Sequence, residues 1–275
     1  MPDKPAAEVP IDERLVRELL TQAEGAVPDA ALRPLSKVAE GWDCEVWRLG
    51  EDHAVRLPRR ALAAPLILNE QRVLPVIAPA VEATGIRVPV PVVQGAPMAS
   101  YPWHWSVVPW ITGTNGIDIV RADRAGWAVP LAAALGALHV TAPPDHPVNP
   151  MRGRPLAART TGVRDRLEIL RAGGGIPSGQ LDAAEALWDR GVDAAVWQHE
   201  PVWMHGDLHP GNLVAEGGRL RAIVDFGDVT AGDPAGDLAI AWLAFDGAGR
   251  RDDAAAARAQ RRRAVLRQAR SRVSP

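Results

Sequence analysis

The sequence predicts an α+β chain in two lobes: a small antiparallel sheet with one helix, ending near residue 108, and then a mainly helical part. Three observations carry this. Short apolar runs separated by turn residues fall within 35–58, the pattern of a strand meander. From 123 to 197 the apolar residues return mostly at helical spacing. The length of 275 residues suits one large domain or two lobes, at about 150 residues per domain.

Each element follows in chain order. IDERLVRELLTQA repeats its apolar residues at Ile11, Leu15 and Leu19, with Asp12 and Glu13 suited to a helix start. Residues 35–40, 45–49 and 53–58 are expected strands, with a turn at Gly41 and a hairpin at Gly50-Glu51-Asp52. Residues 62–83 form a helix carrying Glu70, which Pro75 and Pro79 should kink or divide. VPVPVVQG (88–95) is extended because each proline biases its predecessor away from helix. Residues 103–113 are a buried strand leaving into a loop.

Beyond that point, 123–141 is an apolar helix with Pro130 as a local fault. Residues 155–171 and 180–197 are two more helices, parted by Gly173-Gly174-Gly175. Apolar runs at 202–204, 212–214 and 222–226 flank loops. Asp233-Pro234 opens a helix that continues through DLAIAWLAF, Asp as its cap and Pro at its first position. From Asp246 the tail is rich in Ala and Arg and nearly empty of large apolar residues, so a solvated helix or disorder is expected there.

Composition excludes several classes. A formal charge of −2, from 31 basic and 33 acidic side chains, does not favour nucleic acid, which calls for a concentrated basic face. The single cysteine, Cys44, rules out an intrachain disulfide framework and a multi-cysteine metal site. No stretch is apolar enough to act as a signal peptide or a membrane span, so a soluble, cytoplasmic chain is expected. The oligomeric state is not legible.

The chemistry concentrates in VWMHGDLHPGNLVAEGGRLRAIVDFGD, with His205-Gly206-Asp207, Asn212 five residues after that aspartate, and Asp225-Phe226-Gly227-Asp228 thirteen residues further on. Phosphoryl transfer needs a carboxylate to orient a hydroxyl and take its proton, and oxygen ligands for magnesium. Asp207, Asn212 and Asp225 are residues of those types. His205, Asp207 and His209 also spell H-x-D-x-H, which is compatible with a transition-metal hydrolase site.

HGDLHPGN followed by IVDFGD resembles the paired motifs HGDxxxxN and IDxxD of the aminoglycoside phosphotransferase family, small-molecule relatives of the protein kinases. The resemblance covers about residues 30–245 and implies a protein-kinase-like bilobal fold, with an ATP-binding lobe at 1–108 and a catalytic and substrate lobe at 109–275. It implies Asp207 as catalytic base, Asn212 and Asp225 as Mg2+ ligands, and ATP as phosphoryl donor. It places Gly41 in the turn over the phosphates, Arg56 where kinases have lysine, Glu70 as its ion-pair partner, and Val107 and Val108 in the adenine hinge. The acceptor implied is a hydroxylated small molecule: an aminoglycoside, a macrolide or a metabolite. Asp165, Glu168, Asp182 and Glu185 are acidic residues that a cationic acceptor could use, and their periodicity equally fits solvated helix faces.

Departures from the pattern are visible. Gly41 stands alone in its turn, Cys44 replaces a small polar residue, and the tail lacks the amphipathic helices expected after Phe245, as though shortened. A nucleotide-binding homologue without turnover therefore stays open beside the enzyme and the metallohydrolase. Arg59 and Arg60 are expected in solvent, and His139, Asp233 and Asp237 in structural roles.

Overall fold

The computed structural model describes residues 4–247, so the expectations for the tail fall almost wholly outside the described residues. Helix α1, Glu13–Leu20, starts where Asp12 accepts a hydrogen bond from the Leu15 amide at 2.8 Å. A meander follows: β1 Leu35–Glu40, β2 Cys44–Leu49 and β3 His53–Pro58, within a residue of the expected bounds. Helix α2 spans Ala64–Glu82, then come β4 Val93–Gly95 and β5 Trp105–Pro109. The five strands form one antiparallel sheet in the order β1-β2-β3-β5-β4.

Helix α2 is one helix despite Pro75 and Pro79. Both prolines lie on its exposed face, four residues apart, so the bonds they delete fall on one side. Gln94 donates its side-chain amide to the Gln71 carbonyl that Pro75 leaves free, at 3.4 Å.

After the sheet, β6 Thr114–Asn115 leads to α3, Ala128–Leu138, which a 3-10 segment precedes. Pro130 therefore sits in the first turn of α3, where a missing amide costs nothing, and it is no fault. Helices α4, Thr160–Gly173, and α5, Ser178–Val192, form a hairpin, with Gly174 in the left-handed conformation ending the first. Then come β7 Val202–Met204, β8 Leu213–Glu216, β9 Arg219–Ile223 and β10 Thr230–Gly232. The strands form two small sheets, β10-β7 and β6-β8-β9. The last helical stretch is broken at Ala239 into α6, Ala235–Leu238, and α7, Ile240–Ala244.

Two cores result. One is built from α1 and the inner face of the sheet, with Leu19, Leu20, Leu49, Leu57, Tyr101 and Trp105. The other joins α3, β7–β9 and α7, around Trp127, Leu135, Ile223, Phe226 and Phe245. Val73, Leu74, Ile77 and Val81 of α2 belong to the second core, so α2 spans the cleft rather than staying with the sheet. Among the described residues no helix is long and apolar enough to cross a membrane.

Candidate active site

The loops between β7 and β8, and between β9 and β10, carry the two motifs side by side. Asp237, at the start of α6, holds the first loop from beneath: its carboxylate accepts the His205 amide at 2.7 Å and the Gly206 amide at 3.0 Å. His139, the residue that ends α3, adds a third bond to the same carboxylate at 3.1 Å. Burial disfavours the Asp237 charge, yet the His139 hydrogen bond, the His205 ring and the amides outweigh it and hold its pKa below the usual aspartate range. Asp237 is thus more than a first-turn carboxylate; it anchors the loop that carries Asp207. Asp233 accepts the Ala235 amide at 2.8 Å, as a cap does.

Gly206 has φ +87°, and a Cβ there would lie 2.3 Å from the Asp228 carbonyl oxygen. Only glycine lets the two loops approach so closely. His205 is buried; its Nε2 lies 2.9 Å from the Val224 carbonyl and its Nδ1 receives the Asp207 amide at 3.2 Å. His209 uses Nδ1 to receive the Gly211 amide at 3.0 Å. The imidazole lone pairs are thereby committed, and no group of His, Cys, Asp and Glu among the described residues could hold a metal as a cluster of three. The H-x-D-x-H metallohydrolase reading is therefore set aside.

Asn212 donates its side-chain amide to the Asp207 carbonyl at 2.9 Å, which leaves its amide oxygen as a ligand atom. Asp225 adopts φ +61°, unusual away from glycine, and its side chain stays 53% exposed toward the cleft. Strain of this kind, of order 1–3 kcal/mol, is held only where the surroundings impose it. Arg56 on β3 supplies one reason: its Nη2 binds Asp225 Oδ1 at 2.7 Å and Glu70 Oε1 on α2 at 3.1 Å. Burial works against the Asp225 charge, but Arg56 overcomes it and lowers its pKa. Burial pushes Glu70 up to about 7, with Arg56 pulling the other way. Arg56 Nε is buried and has no hydrogen-bond acceptor.

These groups meet in one cavity of about 410 Å³, lined by Gly41, Arg56, Glu70, Asp207, Asn212 and Asp225 among others. Hard oxygen donors on Asn212 and Asp225, facing a shared space, fit a magnesium ion. A second cavity of about 340 Å³ adjoins it, between the sheet and β8, with Val38, Ala54, Val108, Trp110 and Val214 on its walls and Arg56, Asn212 and Asp225 shared with the first. Val107 does not reach it. Its side chain is buried in the sheet core and its carbonyl accepts the Val92 amide at 2.8 Å, because alternate residues of β5 face opposite sides.

Other positions differ from expectation. Arg59 is buried, bound to Glu40 at 2.8 Å and to the Gly41 carbonyl at 3.1 Å, and Arg60 pairs with Asp43 at 2.9 Å. Both arginines brace the turn over the cavity, adding to the bond its own backbone makes from the Gly41 amide to the Cys44 carbonyl at 2.8 Å. Cys44 lines the cavity, but burial raises its thiol pKa and keeps it protonated.

Sequence reasoning missed Arg152. It binds Asp207 Oδ1 at 2.5 Å through Nη2 and Asp228 Oδ2 at 2.9 Å through Nε, while Asn149 holds the other Asp228 oxygen at 2.7 Å. Gly153, at φ +64°, lets this loop press on β10, where a Cβ would meet the Ala231 carbonyl at 2.7 Å. An arginine in a Pro- and Gly-rich loop carries no signal of its own in one sequence.

Comparison with known proteins bears on this geometry. No curated protein matches the sequence. Among solved structures, the GDP complex of wild-type aminoglycoside 2'-phosphotransferase-IIIa superposes with a TM-score of 0.67 at 19% identity, over 87% of this chain and 82% of that one. Macrolide 2'-phosphotransferase MphH from Brachybacterium faecium superposes at 0.60 with 22% identity, over 91% and 84%. The streptomycin–ATP complex of APH(2")-IIa superposes at 0.61 with 17% identity, over 91% and 83%. At these identities they establish a shared protein-kinase-like bilobal α+β fold. The model of the phosphotransferase enzyme family matches residues 34–275, most of the length, and the chain is a phosphotransferase belonging to that family.

Proposed function

We propose that the chain transfers the γ-phosphoryl group of ATP to a hydroxyl of a small molecule, with the nucleotide between the lobe of residues 1–108 and the lobe of residues 109–275. The observation that carries this is the convergence of Asp207, Asn212, Asp225, Arg56 and Glu70 on a single cavity, contiguous with an apolar one. A structural neighbour that holds streptomycin with ATP supports both the donor and the acceptor class.

The apolar walls at Val38, Ala54, Val108 and Val214 suit a purine ring. Arg56 neutralises phosphate charge, while Glu70 holds the guanidinium in place. Asn212 and Asp225 would hold magnesium, which when bound offsets charge on the phosphates. Asp207 orients the acceptor hydroxyl and receives its proton as the oxygen bonds to the γ-phosphorus. The bond from that phosphorus to the bridging oxygen breaks, and ADP keeps the electron pair. Arg152 touches Asp207 directly and must yield or share that carboxylate when the hydroxyl arrives. Positioning and charge neutralisation supply most of the rate.

The test is ADP release with hydroxylated acceptors in the presence of magnesium. Asp207→Ala should lower it by about a hundredfold or more, the range of general-base removal, while nucleotide binding persists. Turnover undiminished in that variant would exclude Asp207 as the base. A homologue that binds nucleotide without turnover is disfavoured because every group the transfer needs lines the cavity.

A further inference from the structure

A third cavity, of about 680 Å³, lies against α4, within the size range of small-molecule sites. Pro150 and Met151 form one wall, and the next residue is Arg152, which binds the catalytic Asp207. Arg154, Arg159 and Arg166 surround a floor that includes Val163 and Leu167, and no carboxylate lines the cavity. All three arginines are exposed, and none has a carboxylate partner among the described residues.

The acidic residues nearby do not change this sign. Asp182 and Glu185 of α5 bind Arg171 at 2.8 and 2.7 Å, and Asp189 binds Arg164 at 3.3 Å. Asp165 and Glu168 belong to α4, yet neither lines the cavity. The α5 carboxylates are thus paired with Arg164 and Arg171, and the three guanidiniums of the groove are left without a carboxylate partner among the described residues. A polycation entering there meets like charges, which weaken association and misdirect its approach. Guanidinium groups pair best with planar or tetrahedral oxyanions, often through two parallel hydrogen bonds.

We infer that the acceptor is a hydroxylated small molecule bearing a carboxylate or phosphate group, held in the α4 groove by Arg154, Arg159 and Arg166 with its hydroxyl directed to Asp207. This rests on the phosphotransferase reading above, and it excludes a polycationic acceptor as the preferred one. Arg152, next in sequence to Met151 of the groove wall, binds Asp207.

The full chain is titrated by calorimetry, at matched ionic strength, with 6-phosphogluconate, gluconate, glucose and kanamycin. The expected order is both anions ahead of glucose, with kanamycin weakest; the two anions separate a phosphate preference from a carboxylate one. Arg159→Glu with Arg166→Glu, at exposed positions, should weaken the better anion by about tenfold or more, the worth of one or two charge-assisted hydrogen bonds. Circular dichroism and melting unchanged in that variant assign the loss to the groove. Kanamycin binding as tightly as the anions, or anion binding unmoved by the charge reversal, overturns the inference. ADP release over the same panel separates the two levels. Turnover of kanamycin alone sinks the anionic acceptor and leaves the phosphotransferase, whereas anion binding that passes the reversal test without ADP release from any acceptor leaves the groove and counts against the transfer reaction.

Discussion

Asp237 never touches the reacting cavity, yet its two oxygens terminate the backbone amides of His205 and Gly206 and the ring of His139. An asparagine there keeps the shape but turns an NH2 group toward one of those donors. The expected loss for Asp237→Asn is about 2–3 kcal/mol, the scale for hydrogen bonds to a buried charge. Its pKa is depressed in the fold, so the contribution is fully present above the unfolded value near about 3.9 and is lost as pH falls through the lower folded value. Melting curves should show a wild-type advantage that is constant from neutral pH to about 4 and narrows in stronger acid. An advantage that grew on acidification would contradict the charge assignment. The sequence marks Asp237 as an acidic residue in a first helical turn; its partners lie 31, 32 and 98 residues away, beyond the reach of local pattern.

At the scale of elements, the two motif loops work as one because backbone meets backbone at Gly206 and Asp228. Gly206→Ala has to move one loop or accept a left-handed alanine, at a cost of about 2–4 kcal/mol. The measurement is the melting temperature beside ADP release, and both should fall. An alanine variant with wild-type stability would mean that the loops are free to separate. The meander β1–β3 was legible because each strand is a short apolar run ending at a turn residue, and α2 because its apolar period survives its prolines. Strands β6 and β10 were not legible: with two and three residues they exist only through pairing with β8 and β7. The break at Ala239 was equally hidden inside a run of uniform helical spacing.

For the whole molecule, the contact that joins sheet, spanning helix and catalytic lobe is Arg56 between Glu70 and Asp225. Arg56→Met leaves Glu70, 3% exposed, without its cation and with only the Phe226 backbone hydrogen bond, so burial drives its carboxyl toward the protonated form; breaking the pair should cost about 3–5 kcal/mol. Replacing both, as Arg56→Met with Glu70→Met, should recover most of that stability, since apolar residues replace buried ion pairs well. Turnover should stay low in both variants, because the cation proposed to face the phosphates is gone. Recovery of turnover along with stability would remove Arg56 from the site. What the sequence by itself determined was the two-lobe α+β order and the aspartates and asparagine of the paired motifs. Those features are local, set by periodicity, turn residues and fixed spacing along one stretch of chain. What only the tertiary structure decided was that α2 joins the second core, that Arg59 and Arg60 brace a turn instead of facing water, that Val107 points away from the cleft, and that Arg152 closes on Asp207. Each of these depends on which side chain meets which across long separations, and burial and charge pairing settle that only once the chain has folded.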